Sequence, residues 1–248
     1  MKRLMVLLCV LLLVCGITGT ATGTPVYLNG VTSSSGWADA DGTGDVNMCW
    51  AAAASNALFF TGWNGGFTTA DQILNYYKSH WTDGTGNAFY GTEWFFDGVE
   101  TSVSGGGSTV NTSDGGNFYS FAYWDANVGA LIPPPTFSGI KTWVDRSNTQ
   151  DDVGSYGIIG RENIGVGHYI NIWGYDTDGT SIYITDNNTA FRGLEMKLFD
   201  DLHLNLSERI NENLAGVLPN QTVPEPTSTL LLLGIGLFGL SVGYRKRR

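Results

Sequence analysis

The sequence predicts an α+β domain, with helices in its first half and an antiparallel sheet in its last third. Three observations carry this. Residues 49–60 are mostly small and apolar and read as a helix. Residues 70–80 repeat the pattern with an amphipathic period. Two strand-like runs, 168–173 and 181–185, flank Asp176-Thr177-Asp178-Gly179-Thr180. Asp-Gly between such runs marks a hairpin.

Taken in order, Pro25-Val26-Tyr27-Leu28 reads as a short entry strand, followed by a Ser-, Gly- and Asp-rich loop over 32–44. Asp45 and Asn47 are good N-cap types ahead of the Cys49–Phe60 helix, and Gly62 stops it. Thr68 or Thr69 caps the next helix, Ala70 to His80, whose inward face is Ile73, Leu74 and Tyr77. Residues 84–116 are rich in Gly, Ser, Thr and Asn, interrupted by the aromatic patch Trp94-Phe95-Phe96, and Gly105-Gly106-Gly107 reads as a flexible surface loop rather than a phosphate loop. Phe118 to Trp124 reads as a strand and Pro133-Pro134-Pro135 as a stiff connector. Ser138 to Asp145 reads as a helix facing inward through Ile140, Trp143 and Val144, and Ser155 to Gly160 as a strand.

The two ends differ from this body. Lys2-Arg3, the apolar run Leu4–Val14 and the small residues Gly19-Thr20-Ala21 predict a signal peptide over 1–21. At the other end, Val223-Pro224-Glu225-Pro226 precedes an apolar run from Leu230 to Val242 and the basic cluster Arg245-Lys246-Arg247-Arg248. This order of parts resembles the PEP-CTERM sorting signal of Gram-negative bacteria. The resemblance implies an exported protein held transiently in the inner membrane by a transmembrane tail over 223–248. It also implies processing by an exosortase and a final location at the cell surface or outside.

Between the signals, residues 22–222 are enough for one domain with a sizeable core. The signals take six of the 13 basic residues and one of the 23 acidic ones, so the body carries a net charge near −15. Such a body repels nucleic acid, which is excluded as a partner. Cys9 and Cys15 lie in the signal segment, which leaves Cys49 as the single thiol of the mature body. A lone thiol in an oxidising compartment is either buried and inert or used.

The hairpin decides between these. With its turn near Asp178-Gly179, partners sum to about 356, which brings His168 close to Asp186-Asn187-Asn188. A His oriented by an acid or amide is the second half of a Cys-His set. The first half is a thiol at a helix N-terminus, where the dipole favours the thiolate. Singly, Cys49 could be an inert core thiol and His168 a core histidine sharing the side of Ile170 and Ile172. Together they predict a nucleophile, Cys49, a base, His168, and an orienting acid, Asp186, with no cofactor and no metal.

These blocks resemble the secreted papain-like cysteine peptidases, and more closely the bacterial immunoglobulin-degrading, Mac-type endopeptidases. The resemblance is carried by Gly36-Trp37, by Cys49-Trp50-Ala51-Ala52-Ala53-Ala54-Ser55-Asn56-Ala57-Leu58, by Gly167-His168-Tyr169-Ile170-Asn171-Ile172-Trp173-Gly174 and by Tyr183-Ile184-Thr185-Asp186. It implies a papain-like fold, an active-site helix packed on a sheet carrying the His and Asp. It implies an endopeptidase acting on a protein or peptide through an acyl-enzyme, with Asn188 a second position equivalent to an orienting acid. Those relatives place an oxyanion lysine about ten residues before the nucleophile. Here Asp39 sits near that place, and no lysine lies between Lys2 and Lys78. The remaining donors are the Cys49 backbone N–H and the Asn47 side chain, so weak activity is expected. The alternatives are an impaired, peptidase-fold surface binding module and an extracellular-matrix protein.

Overall fold

The computed structural model describes residues 23–32, 37–38, 46–99, 115–131, 135–149, 155–163, 167–186 and 193–220. Its elements, in chain order, are β1 (Pro25–Tyr27), α1 (Cys49–Phe60), α2 (Ala70–His80), α3 (Ala88–Asp97), α4 (Phe121–Asn127), β2 (Val128–Leu131) and α5 (Phe137–Thr149). They continue as β3 (Tyr156–Glu162), β4 (His168–Asp176), β5 (Ser181–Asp186), β6 (Glu195–Leu198), a 3-10 turn (Phe199–Leu202) and β7 (Leu204–Asn211). The architecture is α+β. One antiparallel sheet runs β2-β7-β3-β4-β5-β6, with β1 paired to β4 beside the path.

Neighbouring residues of each strand face opposite sides of the sheet. Ile159, Tyr169 and Ile210 join one core with α1, α2 and α3. Ile158, Ile170, Ile172, Ile182 and Ile184 join another with Ile140 and Val144 of α5. The sheet is thus filled on both faces.

Helix α1 is the hub of the first layer. Residues 49–58 are buried all round, the signature of a core helix rather than a surface one. Its small side chains are what let it lie so close to the sheet: a Cβ on Gly157 would stand 2.8 Å from that of Ala57. Trp50 is the exception to smallness. Its ring is seated where Gly86 and Gly91 lack side chains, and its indole N–H donates to the Gly84 carbonyl at 3.0 Å. Tyr77 and Trp81 meet it edge-on.

Asn56 and Asn171 stitch the layer together. Asn56 accepts from the Ala38 N–H at 2.7 Å and donates to the Ala38 carbonyl at 3.1 Å and to Asn171 Oδ1 at 3.0 Å. Asn171 in turn donates to the Ala53 carbonyl at 2.9 Å. Trp37 stacks on Trp173 with centroids 3.9 Å apart. The short segment 37–38 is thereby fixed to both α1 and β4.

Several local expectations change. The stretch around Trp94-Phe95-Phe96, given no element from the sequence, is α3, capped by Asn87, whose side chain accepts from the Phe89 N–H, and stopped by Gly98 at φ 74°, while Gly105-Gly106-Gly107 lies outside the described residues. Residues 121–124 are helical, not extended, with Ser120 at the N-cap and the strand beginning only at Val128. Their aromatic content favours a strand locally, but packing of Trp124 onto α3 overrides it. The N-cap of α1 is Met48, with no side-chain cap, rather than Asp45 or Asn47. Helix α5 is longer than expected, and Ile140 and Val144 face the core as anticipated. Strands β6 and β7 add to the sheet beyond the expected hairpin.

Candidate functional site

Cys49 is the first residue of α1 and is 9% exposed. Met48 gives its carbonyl to the N–H groups of Ala51 and Ala52. The backbone N–H of Cys49, at the first helical position, has no intrahelical acceptor. With no side-chain cap at Met48, the positive end of the helix is presented at the sulfur. The lead-in is anchored by the Asn47 N–H, which donates to Asp83 Oδ1 at 2.9 Å. Asn47 itself is exposed at a turn.

His168 is the first residue of β4. The β4–β5 register pairs Ile170 with Asp186, Asn171 with Thr185 and Ile172 with Ile184, and then shifts at Trp173. Asp186 therefore lies diagonal to His168, and its Oδ1 meets His168 Nε2 at 2.8 Å. Both side chains are only partly open to solvent, at 19% and 23%. Nδ1 is the ring nitrogen left for the Cys49 sulfur, with which the imidazole makes a second side-chain hydrogen bond. Burial opposes charge on His168, but the bonds to Asp186 and Cys49 and the electrostatic pull of both outweigh it and push its pKa up to about 10. The arrangement is a thiol and a protonated imidazole held together, with a carboxylate behind the ring.

The structure thus brings Cys49 to His168 and Asp186 across more than a hundred positions of chain. Asn188 lies outside the described residues, as do Gly36 and Asp39. Among the described residues, no group of three or more His, Cys, Asp or Glu side chains could hold a metal ion.

Three residues around the site were not anticipated from the sequence. Glu162, the last residue of β3, stands directly across from His168. The pairing rule used for the 168–186 hairpin would have found it, because only Asn163–Gly167 separates the two strands. Glu208 of β7 is fully buried with neither carboxylate oxygen hydrogen-bonded, and burial outweighs the charge of Arg161 to push its pKa up to about 8. Tyr169, beside Cys49, takes a backbone hydrogen bond from Ala88, while burial raises its pKa strongly.

A cavity of about 490 Å³ lies at the far end of α1, lined by Trp37, Phe59, Phe60 and Glu212 among others. At 1.5 Å per residue it is roughly 15 Å along the helix from Cys49.

Comparison with protein families matches residues 222–248 to the PEP-CTERM protein-sorting motif. A search of curated proteins returns no match to the chain. The motif defines a class, proteins exported across the inner membrane and held by a C-terminal anchor before processing. This chain carries that signal, which is recognised by an exosortase. Among the described residues, no helix is long and apolar enough to cross a membrane. The apolar run 230–242 lies outside them.

Proposed function

We propose that the protein is a papain-like cysteine endopeptidase, exported and released at the cell surface or beyond. The observation that supports this most is the 2.8 Å bond from His168 to Asp186 with Cys49 on the other side of the ring, at an uncapped helix N-terminus.

In this mechanism the Cys49 thiolate attacks a peptide carbonyl carbon. A C–S bond forms and the carbonyl π pair moves to oxygen. The oxyanion is received by the Cys49 N–H and the helix dipole. Collapse breaks the C–N bond, and the His168 imidazolium gives its proton to the leaving amine. A thioester and a neutral imidazole remain. Water then attacks the thioester while His168 takes its proton. The second collapse releases the acid and restores the thiolate–imidazolium pair. Asp186 orients the ring and offsets its positive charge throughout.

A second reading, an impaired binding module of the same fold, is favoured by one observation: no lysine stands between Lys2 and Lys78 to complete the oxyanion site. Loss of one such donor costs about 10²–10³ in rate. The test is incubation of the protein with a mixed peptide library, with cut sites read by mass spectrometry. Cuts made by the wild type and not by Cys49→Ala support the enzyme. Identical patterns from the two proteins overturn it.

A further inference from the structure

We propose that Glu162 is a positioning residue for His168, a second carboxylate whose charge acts on the imidazolium from β3 while Asp186 bonds it from β5. Strand β4 lies between β3 and β5, so its first residue is flanked on both sides. Glu162 is the direct cross-strand partner of His168, the last pair of the β3–β4 ladder. Directly opposed side chains start with their Cβ atoms about 5 Å apart. Glu162 is only 7% exposed, so its charge is poorly screened. A buried carboxylate at the end of a strand is costly unless positive charge faces it. His168 supplies that charge from β4. Lys197 from β6, itself paired with Glu195 at 2.9 Å, and His203 from the turn before β7 also act on it. Asp186 acts on it as a like charge. Burial raises the pKa of Glu162, more than these cations lower it. Its support for His168 is therefore withdrawn toward acid, leaving Asp186 alone.

Because the role presumes the Cys49–His168 pair proposed above, the test must separate the two. Alkylation of Cys49 by iodoacetate, an anion, is fast only while the imidazolium stands beside the sulfur, so its rate falls as His168 loses its proton. In the wild type this falling limb is expected near pH 10. In Glu162→Gln it moves down by about one unit, and Glu162→Asp, which keeps the charge, brings it back toward the wild-type position. A falling limb in Glu162→Gln that coincides with the wild type overturns the role of Glu162 and leaves the pair standing. No falling limb in the wild type overturns the pair, and the role with it. The wild type also gives a measurement free of any variant. The His168 ring ¹⁵N shifts carry an inflection at the pH where the Glu162 carboxyl titrates, and a smooth single curve there counts against the proposal.

Discussion

Replacing Asn56 by leucine removes a side chain of similar size but strands three partners at once. The Ala38 N–H and carbonyl and the Asn171 amide oxygen each lose a bond of 2.7–3.1 Å in a site with no access to water. Stranding a buried polar group costs about 1–3 kcal/mol. Allowing for relaxation of segment 37–38, the total is about 3–5 kcal/mol. For a domain of this size each kcal/mol lowers Tm by roughly 2–4 °C, so a fall on the order of 10 °C is expected by circular dichroism. Urea unfolding should show a lower midpoint at unchanged slope. The double variant Asn56→Leu/Asn171→Leu should lose less than the two single losses added together, since the stranded amide oxygen is removed with its partner. A loss below about 1 kcal/mol in Asn56→Leu would refute the reasoning, because the network would then be dispensable.

Asp186→Asn takes a charge from 2.8 Å behind His168, and the His168 pKa should fall from about 10 by about two units, read by ¹⁵N titration. A pKa above that of a free histidine adds stability that is complete below about pH 6.5. In the wild type this is lost as pH rises through about 10, and in Asp186→Asn it is lost earlier. Glu208 gives a pH dependence of the same direction from a different cause, burial of a carboxyl rather than pairing of a cation. Its carboxyl is neutral in the fold up to about pH 8 and ionised in the unfolded chain above about pH 4.5, so stability drains away between those values. Glu208→Gln should match the wild type near pH 4 and exceed it at pH 8, by at most about 5 kcal/mol, in urea titrations at the two pH values. Gly91→Ala would place a Cβ 2.7 Å from the Trp50 ring, and a loss of about 1–3 kcal/mol in thermal unfolding is expected.

Helices α1 and α2 were legible because local propensity, capping and burial agree there. Thr69 both caps α2 and precedes its apolar face, and the alanines of α1 favour helix wherever they are packed. The β4–β5 hairpin was legible because the turn fixes the register, and Ile170, Asn171 and Ile172 pair at a residue sum of 356. That short-range rule also brought His168 near Asp186. Helix α3 was hidden by composition: its aromatic residues suit a strand, and Gly91 weakens the helix, yet only a glycine leaves room there for Trp50. Strand β7 was hidden by Glu208, which breaks the alternation of Leu204, Leu206 and Ile210 at an inward position. The approach of Cys49 to the hairpin depends on α1 packing on β3 and β4, a contact across more than a hundred residues that no local pattern contains.

Strand β7 hydrogen-bonds to β2 on one side and β3 on the other, although among the described residues it is the last strand to leave the ribosome. After it the chain is still fastened, with the Asn220 N–H on the Phe118 carbonyl at 2.6 Å and its side chain on Tyr119. The sorting motif begins two residues later. Export must therefore deliver almost the whole body before the sheet can close. Only nine residues separate Asn220 from the apolar run at Leu230, a reach of at most about 35 Å. Until the tail is cut, the body is leashed within that distance of the bilayer, and anything it meets first is at that surface.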